Sequence, residues 1–190
     1  NTLSGEGSES KQESKIQNRL LVVLLRINTK GMLDLACGDF NWMQDIDISE
    51  ISYMGGDIVQ KLISDNNDKY QQANLQFFHL DLLHSDLPSA DVIFCRDCLV
   101  HLSFADISRA IANILRSSAK FLITTSFIER QENSDIRTGS WRPLNLLATP
   151  FNFPPPIEII IEGCTESDNN YKDKALCVWA LSDLTDIGLE

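Results

Sequence analysis

The sequence predicts an α/β domain whose mainly parallel sheet is covered by helices on both faces. Three observations carry that prediction: five short apolar runs before residue 128, segments of helical or crossover length between most of them, and two further strand-like runs near residue 180 with no helix between. Parallel strands buried on both faces read as near-continuous apolar runs, and joining them in parallel demands a long crossover.

Lys11 to Arg26 opens the domain, because Ile16, Leu20, Val23 and Leu24 form one apolar stripe at helical spacing. Residues 1–10 (NTLSGEGSES) are polar and glycine-bearing, an arm with little to bury, so 11–190 reads as a single domain. Gly31 to Leu35 is a strand running into the tight turn of Ala36, Cys37 and Gly38. Ile51 to Gly56 is the second strand, ending at Asp57, and Ile58 to Gln72 is a helix with Ile58, Val59, Leu62 and Ile63 on one side. Leu75 to Leu80 ends at Asp81, and Asp91 to Arg96 is the fourth strand. Ser103 caps a helix through Ala119, with Asp106 as the reciprocal carboxylate. Lys120 to Phe127, rich in β-branched and aromatic residues, is the fifth strand. Residues 128–156 carry arginines, Trp141 and a proline cluster without helical period; a loop that long inside a compact domain is usually functional or disordered. Ile157 to Ile161 and Ala175 to Leu181 lack a helix between them, so they form an antiparallel pair on the sheet edge.

Composition excludes several classes. The formal net charge is −11 and the pI near 4.6, opposite to the basic stripe of a protein that tracks nucleic acid. The longest apolar run, Leu20 to Leu25, falls far short of the ~20 residues that cross a bilayer, and no small-residue cleavage site follows it. Five cysteines, an odd number in apolar surroundings, read as buried thiols of a cytoplasmic protein. Cys95 and Cys98 have C-x-x-C spacing, but His79, His84 and His101 do not supply a second ligand pair at zinc spacing, so no metal is expected. Trp42 and Trp179 read as core residues.

In open α/β sheets, ligands bind outside the carboxyl ends of the strands. Here those ends are acidic: Asp34 and Asp39 around the first turn, Asp57 after the second strand, Asp81 after the third, Arg96-Asp97 after the fourth. One such aspartate is ordinarily a turn residue; their coincidence at successive ends points to a crevice. Small Ala36 and Gly38 let a ligand approach the backbone closely. Asp57 lies 23 residues beyond Asp34, close to the spacing at which an acid meets ribose hydroxyls. Asp81 is placed for an exocyclic amine. Between Asp34 and Asp68 eight acids face the single base Lys61, which favours a cationic ligand over a pyrophosphate.

The strings LDLACGDFNWM, YMGGDIV, FFHLDLL and ADVIFCRDCLVHLSF resemble, in order, the motifs of class I S-adenosylmethionine-dependent methyltransferases, and are most similar to a bacterial-type group carrying CGDFNWM and CRDCLVHL. The resemblance spans residues 31–182. It implies a Rossmann-like seven-stranded sheet of order 3-2-1-4-5-7-6 with strand 7 antiparallel, and S-adenosyl-L-methionine as cofactor. It further implies that Asp34, Ala36 and Gly38 lie along the methionine moiety, that Asp57 binds the ribose, that Asp81 with Leu82 frames the adenine, and that Cys95 and Arg96 line the methyl-donor end. The arm Ser4–Ser8 resembles a glycine-serine segment that precedes the first helix in that group, so residues 1–10 read either as a flexible arm or as a lid over the cofactor. Where the family has a third glycine this chain has Phe40, which is expected to pack under the turn.

Methyl transfer from a sulfonium gains most from alignment and exclusion of water. For a hydroxyl acceptor the candidate bases are His101 and Asp97, although His101 also reads as a helix-entry residue and Asp97 as the ion-pair partner of Arg96. Arg130, Arg137 and Arg142, with Trp141, are the candidates for holding a small-molecule or glycan acceptor, or else they balance Glu129, Glu132 and Asp135 on a solvated loop. The competing readings are a non-catalytic cofactor-binding module and an NAD-dependent oxidoreductase. Asp39, sitting where the pyrophosphate would lie, opposes the latter.

Overall fold

The computed structural model describes residues 13–165 and 170–185. The arm at Ser4–Ser8 lies outside them. In chain order the elements are α1 (Glu13–Arg26), β1 (Gly31–Leu35), β2 (Ser52–Asp57), α2 (Gln60–Tyr70), β3 (Leu75–His79), β4 (Val92–Cys95), α3 (Phe104–Arg116), β5 (Phe121–Phe127), β6 (Glu158–Ile161) and β7 (Lys174–Ala180). They build one seven-stranded sheet of order β3-β2-β1-β4-β5-β7-β6, as the resemblance implied. The first five strands are parallel; β7 pairs antiparallel with both β5 and β6. β7 is thus interior, and β6 is the edge.

Successive side chains of each strand feed opposite faces, which gives the sheet two cores. Leu33, Leu35, Ile93, Leu122, Cys177 and Trp179 meet Ile107, Ala110, Ile111 and Ile114 of α3. Met32, Val92, Phe94, Ile123, Leu176 and Val178 meet Ile16, Leu20, Val23 and Leu24 of α1. Leu20 and Leu24 are fully buried, and each such side chain contributes about 1.5–3 kcal/mol. The stripe predicted for α1 is therefore the stripe that packs. No described helix is long and apolar enough to cross a membrane.

Two local details depart from expectation. Ser103 does cap α3, its hydroxyl accepting from the Asp106 amide at 3.2 Å, but the reciprocal half of the box is not made. The Ser103 amide instead donates to Thr138 Oγ1 at 2.9 Å, while the Asp106 carboxylate accepts from Thr138 and from Arg109. An aspartate is one methylene shorter than the glutamate that usually reaches back, and the long insert supplies the missing oxygen. The predicted helix Ile58–Gln72 is also shorter, since α2 begins at Gln60: Ile63 within it is buried, whereas Ile58 and Val59 ahead of it are 61% and 46% exposed.

Candidate functional site

Past the carboxyl end of β1 the chain turns sharply. The Ala36 and Cys37 amides both donate to the Gly56 carbonyl, at 2.8 and 3.1 Å, and Ala36, Gly38 and Phe40 all take left-handed φ, at 61, 58 and 61°. Each such residue other than glycine costs roughly 1–2 kcal/mol. Phe40 recovers its share under the turn, edge-on to Tyr53, Tyr70 and Phe77 with centroids 5.0, 5.0 and 5.2 Å away.

Asp57, at the end of β2, ties this turn to the next element. One carboxylate oxygen accepts from the Gly38 amide at 3.1 Å and the other from the Val59 amide at 2.8 Å. Asn66 of α2 completes the tie, donating to the Gly38 carbonyl at 2.8 Å. Each Asp57 oxygen keeps a lone pair to offer elsewhere.

The turn, the end of β2 and the end of β4 enclose a cavity of about 470 Å³ lined by Asp34, Ala36, Gly38, Asp57, Arg96, Asp97 and His101, together with Cys37, Asp39, Trp42, Met43, Val59, Leu62 and Phe94. Its size falls in the range of small-molecule sites. Of the residues singled out in the sequence for cofactor binding or catalysis, seven meet here, and so does Asp39. Asp81, Leu82 and Cys95 are not among the lining residues. Asp81 accepts from the Leu83 amide and His84 Nδ1, each at 2.8 Å, the hydrogen bond from His84 holding its carboxyl below the usual range. Leu82 packs against the α3 core, and Cys95 is fully buried in β4.

Part of the cavity wall is a stack. Trp42 lies nearly parallel to Phe94, centroids 5.8 Å apart, and the Arg96 guanidinium sits 4.6 Å above the Trp42 ring. Trp42 thus lines the cavity while also packing against the α1-side core, whereas Trp179 is wholly core, at 1% exposure. Arg96 reaches Glu162 at 2.7 Å and Asp97 at 3.7 Å, and Lys174 reaches Asp97 at 2.7 Å and Glu162 at 3.5 Å. This four-charge cluster joins the ends of β4, β6 and β7.

The charges differ in character. Asp34 is buried and meets the Tyr53 hydroxyl at 2.6 Å. Burial pushes its carboxyl up to about 7, aided by the charge of Asp57 and opposed by the Tyr53 hydrogen bond and Arg96. Burial also raises the Cys37 thiol, so it is no nucleophile at neutral pH. For Asp97 burial works upward, but Lys174 and Arg96 outweigh it and hold the carboxyl low; it sits at φ 53°, its amide donating to Thr125 Oγ1 at 2.8 Å. His101 ends a short 3-10 turn, Leu99–His101, with Nδ1 2.9 Å from the Ser140 carbonyl.

The insert places its arginines differently from one another. Arg130 is committed to Asp173, Nε at 3.0 Å and Nη2 at 2.9 Å, and also meets the Asn170 carbonyl. Arg142 is 6% exposed and turned inward onto backbone carbonyls. Neither guanidinium faces the cavity as an acceptor-binding fork; each saturates a buried partner instead. Arg137 is exposed, and Trp141 is 42% exposed, edge-on to Phe127 and Tyr171. All five cysteines are free, and among the described residues no group of three or more His, Cys, Asp or Glu is arranged to hold a metal.

Residues 32–120 match a family model described as a methyltransferase domain. No protein of curated function matches the chain. Among solved structures the fold is similar to human N-acetylserotonin methyltransferase in complex with SAM, with TM-score 0.64 and 11% identity over 86% of this chain and 51% of that one. It is similar also to magnesium protoporphyrin IX methyltransferase from Synechocystis PCC 6803 with bound SAH, with TM-score 0.52 and 18% identity over 66% of this chain and 64% of that one. A third is an amino pentose methyltransferase from Micromonospora echinaspora, SAM-bound, with TM-score 0.52 and 13% identity over 62% and 52% of the two chains. The chain spans about half the length of the first and less than two thirds of the others. At these identities the likeness establishes the methyltransferase Rossmann-like fold.

Proposed function

We propose that this chain binds S-adenosyl-L-methionine in the cavity beyond β1 and transfers its methyl group to a hydroxyl of a small-molecule or glycan acceptor. The observation that carries the reading is the meeting of Asp34, Gly38 and Asp57 around one cavity at the ends of β1 and β2, within a fold shared with methyltransferases.

The residues fit the cofactor. The left-handed turn leaves backbone rather than bulky side chains at the cavity wall, and both Asp57 oxygens retain lone pairs for ribose hydroxyls. Val59 and Leu62 offer an apolar shelf to a base. Asp34, Asp39 and Asp57 place negative charge where a cation would lie, and such charge is most effective in a site that excludes water. The bound cofactor supplies a methyl group on a positive sulfur, an electrophile that needs no activation. The protein's part is to align the acceptor and remove its proton. His101 would receive the proton that the acceptor hydroxyl gives up. Asp97 is the weaker candidate, since Lys174 and Arg96 hold its carboxyl low and so make it a poorer base.

Calorimetry with S-adenosylmethionine, S-adenosylhomocysteine and NAD tests the reading. Saturable binding of the first two without NAD is expected; NAD binding alone overturns it. A panel of hydroxyl, carboxyl and amine acceptors then separates an enzyme from a binding module, which would bind the cofactor and release no product on any of them.

A further inference from the structure

His101 ends a single 3-10 turn, in which the Leu102 amide donates to the Leu99 carbonyl at 3.2 Å, and the irregular insert reaches the carbonyls of Leu99 to Leu102 one after another. Arg142 Nη1 donates to the Leu99 and Val100 carbonyls at 3.2 and 2.8 Å, and Nη2 to the Leu102 carbonyl at 2.9 Å. The Arg142 amide donates to Val100 at 3.2 Å and the Gly139 amide to the His101 carbonyl at 2.8 Å. The imidazole is tied to the same segment, Nδ1 lying 2.9 Å from the Ser140 carbonyl. A carbonyl oxygen only accepts, so Nδ1 carries the hydrogen in this bond. In the neutral ring Nε2 is then left with a lone pair.

We propose that Gly139–Arg142 is a brace that fixes His101 as its Nδ1–H tautomer and leaves Nε2 free to receive a proton, with Arg142 as the positioning residue. The inference rests on the reading of His101 as the base.

Loop packing alone does not account for this arrangement. Arg142 is buried, its hydrogen bonds go to backbone carbonyls, and Asp135 is the acid whose charge reaches it. Its other neighbours are carbonyl dipoles and the Phe104 ring, 5.6 Å from the guanidinium carbon, and its buried Nε finds no hydrogen-bond partner. A buried cation held this way is costly where an apolar side chain would cover the turn more cheaply, but only a planar fork serves three carbonyls at once. Gly139 contributes the path: its φ is 95°, and a Cβ there would meet nothing within 4 Å, so the glycine answers to backbone conformation alone. The same insert also clamps the far side of His101, since Thr138 receives the Ser103 amide and Asp135 the Phe104 amide, at 2.9 and 2.7 Å.

The tautomer is readable without cofactor or acceptor, by long-range ¹H–¹⁵N correlation NMR of ¹⁵N-labelled protein at a pH where His101 is neutral. The wild type is expected to show Nδ1 protonated and Nε2 bare. Arg142→Gln removes the fork and Gly139→Ala strains the backbone that aims the Ser140 carbonyl; each is expected to shift His101 toward a mixture of tautomers. A wild-type ring protonated at Nε2 overturns the proposal, as do folded variants with the wild-type pattern. Should Arg142→Gln not fold, Gly139→Ala and the wild-type spectrum decide alone. Failure of cofactor binding in calorimetry refutes the functional reading and leaves this result standing; cofactor binding with an Nε2–H ring refutes only the brace.

Discussion

Asp34→Asn isolates the electrostatic cost stored at the base of the cavity. The wild-type carboxyl, ordinarily near 3.8, titrates at about 7 because it is buried. Between those values the folded state holds a proton that the unfolded state has released, so stability falls as pH rises from about 4 through about 7. At about 1.36 kcal/mol per pH unit the full penalty is on the order of 4 kcal/mol, of which about 3 develops between pH 5 and pH 8. Asparagine keeps the shape and an oxygen for the Tyr53 hydroxyl but cannot ionise. Urea unfolding of both proteins at pH 5 and pH 8 is the assay. With m near 2 kcal/mol/M, the variant's midpoint advantage should grow by more than about 1 M between the two pH values. A difference that does not change with pH refutes the assignment of the titration to Asp34. The same logic gives the ligand's side: a cation in the cavity favours the ionised carboxyl, so S-adenosylmethionine affinity should rise with pH through 7, and the variant should lose that dependence.

Asp57→Ala removes the acceptor for two backbone amides as well as the proposed ribose contact, and should weaken S-adenosylmethionine binding by about 1–3 kcal/mol in calorimetry; unchanged affinity in a folded variant removes Asp57 from the site. Arg130→Ala strands Asp173, whose side chain is 3% exposed, and should cost about 3–5 kcal/mol in denaturant unfolding while cofactor affinity stays put. Gly55→Ala would drive a Cβ to 2.7 Å from the Phe77 ring and 3.0 Å from Cys37 Sγ; thermal unfolding should show a loss of about 1–3 kcal/mol, and a neutral result would mean that β2 and β3 separate more easily than their register suggests.

Much of this architecture was legible because strands buried on both faces announce themselves as apolar runs, and because turn chemistry at Ala36–Gly38 and the Ser103 cap is local. Order within the sheet came from the motifs rather than from periodicity, which does not specify neighbours. Side-chain direction was less legible. Trp42 looked like core by its residue type, yet Phe40 anchors beneath the turn and leaves Trp42 on the cavity wall against Phe94, a partner 52 positions away. The arginines of the insert looked like ligands for an anion because their true partners are distant or non-ionic: Asp173 for Arg130, and backbone carbonyls for Arg142, which leave no trace in a sequence. Of Ile58, Val59, Leu62 and Ile63, which apolar spacing puts on one side of a helix, only Ile63 enters the core. The pairing of Lys174 with Asp97 spans 77 positions, beyond any local pattern.

The interior place of β7 constrains how the molecule is made. β5 presents Phe121–Phe127, an apolar run with buried side chains, to a neighbour that is translated some fifty residues later. Until Lys174–Ala180 emerges from the ribosome, that border has unpaired amides and carbonyls open to any extended chain, and β6 has nothing to dock on. Until then β5 adds a second open margin to that of β3, at a place where the finished sheet has none.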